Sequence, residues 1–290
     1  MRLCFFNEGR LGLVRGDVVH DVSDALDVLP AARYPFPRHD LLIERLPELR
    51  QRIDAVAGTR TVPVAAARFQ SPVANPGKIV AAPVNYRKHL EEAIAEPETF
   101  SRAHVRQIQE TGLFLKATSS LIGASEPVRI RHADRRTDHE VELAVIIGQR
   151  CKGVSRTAAL DYVAGYCIGL DITVRGPEER SLRKSLDSYT VLGPCLVTAD
   201  ELGEPAGLDL ALTVNGESRQ MANTRDLILD VPALIEFASS FYTLEPGDVL
   251  LTGTPEGVGP IRPGDEMHAR IDRLGEMRVR VELEAEGGAA

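Results

Sequence analysis

The chain has 290 residues, of which 43% are hydrophobic and 26% charged, and its formal net charge at pH 7 is −8. This composition is ordinary for a soluble globular protein. The acidic balance argues against a nucleic-acid or anionic-membrane surface, because no basic excess is available to neutralise phosphates. No apolar run approaches the roughly 20 residues that a membrane-spanning helix needs, so we expect no membrane association.

The N-terminus and the cysteines both favour a cytoplasmic protein. The opening sequence, MRLCFFNEGRLGLV, lacks the long apolar core and the small-residue cleavage site of a signal peptide. No two of the cysteines, Cys4, Cys151, Cys167 and Cys195, have the short spacing of a zinc or redox motif, and each sits among apolar or small residues. We therefore predict buried, reduced thiols and a cytoplasmic location.

Residues 1–60 are predicted to form a small N-terminal α+β domain. Turn residues at 7–9 and 15–17 separate short apolar runs typical of strands. Leucine, isoleucine and valine side chains at helical spacing predict a helix over 40–57, in spite of Pro47. Residues 61–77 contain prolines and little periodicity, which predicts a linker to a catalytic domain over 78–290.

The rest of the chain is rich in predicted strands. A helix is predicted over 86–96, before these strands begin. Strongly apolar or alternating runs then predict strands at 141–147, 166–174, 193–198, 249–252, 267–271 and 277–283. Few helical patterns accompany them, and no Gly-x-Gly-x-x-Gly follows a strand, which argues against a dinucleotide fold. The predicted fold class is therefore α+β and β-rich.

Two local signals fix further elements of this region. Asn215-Gly216 lies between two strand-like runs and predicts a hairpin with a type I′ turn. Asp230, followed two residues later by Pro232, predicts the start of a helix. The buried side of this helix is predicted to comprise Leu234, Ile235, Phe237, Ala238 and Phe241.

Three acidic residues on two predicted strands require compensation. Glu140 and Glu142 are two residues apart, so their side chains share one face of a strand that continues into an apolar run. Asp171 lies in a second strand that is otherwise apolar or small. Buried carboxylates lose hydration at a cost of several kcal/mol each. A hard ion such as Mg²⁺ or Mn²⁺, or Ca²⁺, would offset this cost; the alternative is an exposed strand end where the glutamates pair with Arg135 or Arg136.

Several segments in order resemble the fumarylacetoacetate hydrolase superfamily. They are NYRKH at 85–89, EVELAVIIG at 140–148, DYVAGY at 161–166 with DITVR at 171–175, KSLD at 184–187, LGP at 192–194, VNGE at 214–217, and LEPGD at 244–248 running into GTPEGVG at 253–259. The resemblance covers about residues 78–283 and includes fumarylpyruvate or acylpyruvate hydrolases and 2-hydroxyhepta-2,4-diene-1,7-dioate isomerase-type members. It implies a mixed β-sheet roll or sandwich, a metal held by Glu140, Glu142 and Asp171, and a homodimer.

The resemblance also implies catalytic roles for His89, Glu92 and Lys184. His89 and Glu92 are three apart on a predicted helix and can hydrogen-bond, although spacing alone favours a surface pair. In the family such a pair activates the attacking water, and residues 93–112 are expected to form a lid over the site. Lys184 lies in a basic cluster and would neutralise a developing enolate, with Lys116 as a weaker candidate for the same cleft.

The remaining predicted substrate contacts are Arg175, Thr254 and Tyr189. Arg175 shares a strand face with Asp171 and could bind a carboxylate, or it could be a structural partner of Asp171 or Glu178. The resemblance implies that the hydroxyl of Thr254 and the backbone amides of its glycine-rich loop contact a substrate carboxylate. The alternative is a turn without a binding role. Tyr189 could line the pocket or belong to the core.

These features predict a divalent-metal-dependent hydrolase that cleaves a carbon–carbon bond in a small, anionic β-diketo or 2-oxo acid. One alternative is an isomerase or decarboxylase of hydroxymuconate-type diacids, which needs the same enolate chemistry without attack by water. A second alternative is a metal-binding protein without catalytic activity.

Overall fold

The computed structural model describes residues 1–95 and 108–285. Over these residues strands predominate and form three sheets, in agreement with the predicted β-rich α+β class. Within the same residues no helix combines the length and the apolar character needed to cross a membrane.

The largest sheet is mixed and extends from the N-terminal strands to the centre of the molecule. Its continuous order is β4 (Thr61–Pro63), β3 (Val18–Asp21), β2 (Arg10–Arg15), β1 (Arg2–Phe6), β14 (Thr190–Thr198), β12 (Val163–Asp171), β11 (Val141–Ile147), β17 (Val249–Leu251), β6 (Ile79–Ala81) and β7 (Phe114–Lys116). Two short strands join it laterally: β5 (Phe69–Gln70) pairs with β1, and β8 (Leu121–Gly123) pairs with β14. The antiparallel pairing of β1 with β14 brings the first strands into the same sheet as the central ones.

The two smaller sheets flank the central strands. One has the order β16 (Glu217–Asn223), β15 (Asp209–Val214), β19 (Glu266–Ile271), β20 (Gly275–Leu283) and β9 (Val128–Ile130). The other has the order β13 (Thr173–Val174), β10 (Thr137–His139) and β18 (Gly259–Ile261). The predicted Asn-Gly hairpin is confirmed, since Asn215 (φ 52°) and Gly216 (φ 82°) both take the positive φ that a type I′ turn requires.

The α-helices are α1 (Leu41–Val56), α2 (Arg87–Ala95), α3 (Ile108–Thr111), α4 (Arg180–Lys184), α5 (Ala199–Leu202) and α6 (Val231–Phe241). Asp230 caps α6 as predicted, because its side chain accepts a hydrogen bond of 3.0 Å from the backbone N–H of Ala233. The predicted burial of Phe241 is wrong, since this side chain is 63% exposed. Leu234, on the same side of the helix, packs with Ala82 in a small cluster that does not include Phe241.

Strand β11 lies between two buried layers of side chains. Val141, Leu143 and Val145 pack into one layer, whereas Ala144 and Ile146 pack into the other. All seven residues of the strand are buried, so neither of its faces is available to solvent. The four cysteines are also buried and free, as predicted.

Candidate metal centre

The register of two central strands brings the three predicted carboxylates together. Glu142 on β11 lies opposite Gly169 on β12, and the backbone N–H of Asp171 donates to the carbonyl oxygen of Glu140 at 2.9 Å. Asp171 is therefore beside Glu140 and diagonal to Glu142, which are the closest cross-strand positions for side chains on one face. One ligand atom from each carboxylate lies within 4.8 Å of the others.

These carboxylates are buried and their electrostatic environment differs from one to the next. Burial, followed by the charge of Asp171, raises the pKa of Glu142 well above its usual range. Burial acts in the same direction on Glu140, but the nearby charges of Lys184 and Arg175 lower the pKa of Glu140 to about 2. An oxygen-only set of buried carboxylates with this much mutual repulsion fits a hard divalent cation.

Lys184 contacts this cluster directly from the end of α4. Its Nζ donates to Glu140 Oε2, Asp171 Oδ2 and Thr173 Oγ1, each at 2.7 Å. The same ammonium lies 5.5 Å from the centroid of the Phe114 ring. The structure thus places Lys184 against two of the three carboxylates, where its charge can stabilise a further negative charge.

Lys116 reaches the cluster from β7 on the other side of Asp171. Its buried Nζ donates to Asp171 Oδ1 and to the carbonyl oxygen of Tyr189, the latter at 2.7 Å. Burial lowers the pKa of Lys116. The side chain of Tyr189 packs in the hydrophobic core, so the structure gives this residue the core position that the sequence had left as an alternative.

Arg175 is engaged with buried carboxylates of the protein. Its Nε donates to Asp138 Oδ2 at 2.7 Å and its Nη2 donates to Glu140 Oε1 at 3.1 Å. Arg136 pairs with the other oxygen of Asp138. The alternative of an exposed strand end is therefore wrong, because Glu140 and Glu142 are buried. Sequence reasoning missed Asp138, although it stands two residues before Glu140 and so shares its strand periodicity.

The sequence-predicted pair on α2 is formed and largely buried. His89 Nδ1 lies 2.9 Å from Glu92 Oε2, and the side chain of His89 is only 5% exposed. The backbone N–H of Gly257 donates to the other carboxylate oxygen of Glu92 at 2.9 Å. A positive charge on His89 acts to lower the pKa of Glu140, so the imidazole is within electrostatic reach of the carboxylate cluster. Of the predicted lid over 93–112, residues 96–107 lie outside the described part of the chain.

The loop after β17 holds the start of β11 in place. The backbone N–H of Gly253 donates to Glu142 Oε2 at 2.6 Å, and the hydroxyl of Thr254 donates to the carbonyl oxygen of Val141 at 3.0 Å. Thr254 is fully buried and also accepts a bond of 2.8 Å from Gln220 Nε2. Its hydroxyl therefore has two protein partners, and its predicted contact with a substrate carboxylate stays a prediction.

Gln220 was missed by sequence reasoning and is a central residue of this arrangement. It is fully buried on β16, and its Oε1 accepts from the backbone N–H of Val141 at 3.0 Å and faces His139 Nδ1 at 3.1 Å. Its Nε2 donates to Thr254 Oγ1 and to the carbonyl oxygen of Pro255. The three residues of β16 before it are exposed and polar, and Met221 after it is exposed, so the local pattern gives no signal that this glutamine is buried.

Comparison with known proteins finds one enzyme family that matches most of the chain. A model of the fumarylacetoacetate (FAA) hydrolase C-terminal family matches residues 78–282. The chain is 56% identical over 284 residues to a maleylpyruvate hydrolase of Aquipseudomonas alcaligenes, which covers 97% of this chain and 99% of that relative.

Solved structures show the same similarity at the level of the fold. A crystal structure of maleylpyruvate hydrolase from Sphingobium sp. SYK-6 in complex with manganese(II) and pyruvate has a TM-score of 0.82, with 41% identity, and covers 98% of this chain and 99% of its own. A crystal structure of 2-hydroxyhepta-2,4-diene-1,7-dioate isomerase from Mycobacterium marinum has a TM-score of 0.73, with 28% identity, and covers 99% of this chain and 100% of its own.

Proposed function

Since this chain belongs to the fumarylacetoacetate hydrolase family, we propose that it is a divalent-metal-dependent hydrolase that cleaves a carbon–carbon bond in a small acylpyruvate. The observation that carries this proposal is the convergence of Glu140, Glu142 and Asp171, with one carboxylate oxygen from each within 4.8 Å of the others. The 56% identity to a maleylpyruvate hydrolase over nearly the whole chain supports the reaction class.

Glu140, Glu142 and Asp171 would hold the metal, which we take to be Mg²⁺ or Mn²⁺. Manganese(II) and pyruvate are bound together in the structure of a relative 41% identical to this chain, which supports both the ion and the product. When bound, such an ion supplies polarisation of a carbonyl oxygen and neutralisation of negative charge on it. The carboxylates form a buried, oxygen-only donor set, which suits either ion.

His89 is the proposed base that activates water. Glu92 accepts a hydrogen bond at Nδ1, which keeps the proton there and makes Nε2 the basic nitrogen. Water that loses a proton to His89 attacks the carbonyl carbon of the acyl arm, and the bond between this carbon and the adjacent methylene carbon of the pyruvyl part then breaks. The electron pair moves onto the pyruvyl part as an enolate, whose charge Lys184 balances until a proton returns to carbon. The products are pyruvate and the carboxylic acid of the acyl arm.

An isomerase or decarboxylase of hydroxymuconate-type diacids is the second candidate. Similarity to the 2-hydroxyhepta-2,4-diene-1,7-dioate isomerase from Mycobacterium marinum favours it, although at 28% identity. The buried His89–Glu92 pair favours hydrolysis, because an isomerase does not need a base that activates water.

Release of pyruvate distinguishes the two candidates. The wild-type protein with Mg²⁺ or Mn²⁺ is expected to convert acetylpyruvate or maleylpyruvate to pyruvate, measured with lactate dehydrogenase and NADH. The His89→Ala variant should lose about 10²- to 10⁴-fold in kcat because it lacks the general base. The matched control is His132→Ala, which removes an exposed histidine.

Metal binding is measured separately from catalysis. Added Mg²⁺ should raise the Tm of both histidine variants, and EDTA should reverse the increase. Loss of enol absorbance without pyruvate formation would support the isomerase instead. If neither ion changes the Tm or the activity, the protein is not a metal-dependent enzyme of this class, and the reading as a protein without catalytic activity gains support.

We also propose that the protein acts in the cytoplasm as a homodimer, on a small anionic oxo acid, without binding nucleic acid or membranes. The net charge of −8 and the absence of a membrane-spanning helix in the described residues support the last part. A division into a domain over 1–60, a linker over 61–77 and a catalytic domain over 78–290 stays a prediction.

A further inference from the structure

Thr173 is a fully buried threonine at the centre of the hydrogen bonds that surround Lys184. Its Oγ1 accepts from Lys184 Nζ at 2.7 Å, and lies 3.0 Å from Glu140 Oε1 and 3.2 Å from the carbonyl oxygen of Asp171. Its backbone is fixed, because Thr173 pairs with Asp138 in the antiparallel ladder of β13 and β10. A short, β-branched side chain on a paired strand is held more rigidly than the long, flexible stem of a lysine.

The direction of these hydrogen bonds follows from the chemistry of the two groups. An ammonium group has donors and no acceptor, so the hydroxyl of Thr173 must accept from Lys184. Its single proton then points to one of the other two oxygen atoms, and the carboxylate oxygen of Glu140 is both nearer and negatively charged. Thr173 therefore links the ammonium of Lys184 to Glu140 without carrying a charge itself.

A metal ion would compete with Lys184 for its other two acceptors. Lys184 Nζ donates to Glu140 Oε2 and to Asp171 Oδ2, and both carboxylates belong to the proposed ligand set. A divalent cation held by them would repel the ammonium, because like charges in a buried site are poorly screened. Of the three acceptors that the structure describes around Lys184, the hydroxyl of Thr173 is the uncharged one and lies outside the proposed ligands. It can therefore keep its bond to Lys184 when an ion occupies the carboxylates.

We propose that Thr173 is a positioning residue, which anchors the ammonium of Lys184 beside the metal site so that its charge reaches the enolate. This inference rests on the proposed function, in which Lys184 balances the enolate charge. Without the hydroxyl, repulsion by the ion would move the ammonium away along its flexible stem. Loss of the hydroxyl should therefore weaken the binding of an enolate-like dianion more than the binding of the keto form of pyruvate.

Binding of two small anions tests this role without turnover. Oxalate is a planar dianion with negatively charged oxygen atoms in adjacent positions, as in the enolate of pyruvate, whereas pyruvate itself has a neutral keto oxygen. In calorimetric titration of the Mg²⁺-loaded protein, Thr173→Val should weaken the Kd of oxalate by about 10- to 100-fold, because a bond to a charged group is lost. The Kd of pyruvate should change by less than about threefold, and Thr173→Ser, which keeps the hydroxyl, should bind oxalate nearly as wild type does.

A double-mutant cycle separates an action through Lys184 from an action on the metal ligands. In the Lys184→Met background, Thr173→Val should have no further effect on the Kd of oxalate. Each variant is titrated at a Mg²⁺ concentration that saturates that variant, so that a weaker affinity for the ion is not mistaken for a weaker affinity for oxalate.

Thr198→Val is the matched control for the loss of a buried hydroxyl. Thr198 is fully buried, and its Oγ1 accepts from the N-terminal ammonium of Met1 at 2.7 Å. It pairs with Gly165 on β12, six residues and about 20 Å along that strand from Asp171. This variant should have a lower Tm, as Thr173→Val should, and an unchanged Kd for oxalate.

Several results would overturn the proposal. They are equal losses of affinity for oxalate and pyruvate in Thr173→Val, a loss for oxalate that persists in the Lys184→Met background, and a Thr173→Ser variant as weak as Thr173→Val. Wild-type protein that binds oxalate no more tightly than pyruvate would also contradict it. For hydrolysis of acetylpyruvate we expect kcat to fall by about 10- to 100-fold in Thr173→Val with little change in KM. If wild-type protein releases no pyruvate from acylpyruvates, the proposed function fails, and the oxalate titrations still decide the role of Thr173.

Discussion

Gln220 is predicted to position the proposed metal ligands through the backbone of Val141. This valine lies between Glu140 and Glu142, whereas β17 pairs with β11 at Ala144–Ile146, further along the strand. At Val141 a glutamine side chain takes the place of a strand neighbour, since Oε1 of Gln220 accepts from the valine N–H at 3.0 Å. Both glutamates should therefore lose orientation if this side chain can no longer accept.

The perturbation is Gln220→Met, which keeps the length of the side chain and removes both polar groups. The buried N–H of Val141 and the carbonyl oxygen of Pro255 each lose their bond to the glutamine. At about 1–3 kcal/mol for each of these two orphaned groups, the variant should be destabilised by roughly 2–6 kcal/mol. Loss of a group that orients metal ligands should in addition weaken metal affinity by about 10- to 100-fold.

Two measurements separate positioning from simple structural support. Scanning calorimetry of metal-free protein gives the fall in Tm, and calorimetric titration with Mn²⁺ gives the Kd of the folded protein at low temperature. Gln149→Met is the control, because this exposed glutamine bonds to the carbonyl oxygen of Asp161 at 3.2 Å, away from the site. A lower Tm with an unchanged Kd for Mn²⁺ would refute the reasoning, since Gln220 would then support the fold without orienting the carboxylates.

Two further predictions concern stability alone. Arg50 hydrogen-bonds to Asp200 at 2.6 and 2.7 Å and lowers its pKa below the ordinary 3.8. A depressed carboxyl pKa stabilises the fold above pH 3.8 and less as the pH falls below it. Because the pair is exposed, Asp200→Asn should lower the free energy of unfolding at pH 7 by less than about 1 kcal/mol, seen as a slightly lower Tm, and the difference should shrink towards pH 3. A difference that grows on acidification would contradict this sign. Phe241→Ser should change the free energy of unfolding by no more than about 0.5 kcal/mol, because this side chain is exposed. Leu234→Ala in the same helix should lower it by about 2–4 kcal/mol, measured by denaturant titration. Equal losses in the two variants would show that the exposed position of Phe241 is wrong.

Local sequence patterns were sufficient to predict the strand that carries Glu142. Residues 141–147 have the apolar run of a buried strand, and the structure has β11 over those same residues. The predicted strand over 166–174 is interrupted at Ile172, whose N–H donates to the carbonyl oxygen of Tyr189 instead of to a neighbouring strand, so β12 and β13 are separate. The alternation of side chains along a strand does not predict a hydrogen bond to a residue 17 positions away.

The sequence by itself determined that Glu140 and Glu142 share a strand face, because residues two apart always do so in an extended chain. It could not determine which residues would meet them. The register of β11 against β12 places Asp171 beside Glu140, and packing of a separate sheet brings Gln220 to Val141 across 79 residues of chain. Tertiary structure alone decided these contacts, because strand register and sheet packing depend on the whole set of buried side chains. They therefore cannot be predicted from any short segment of the sequence.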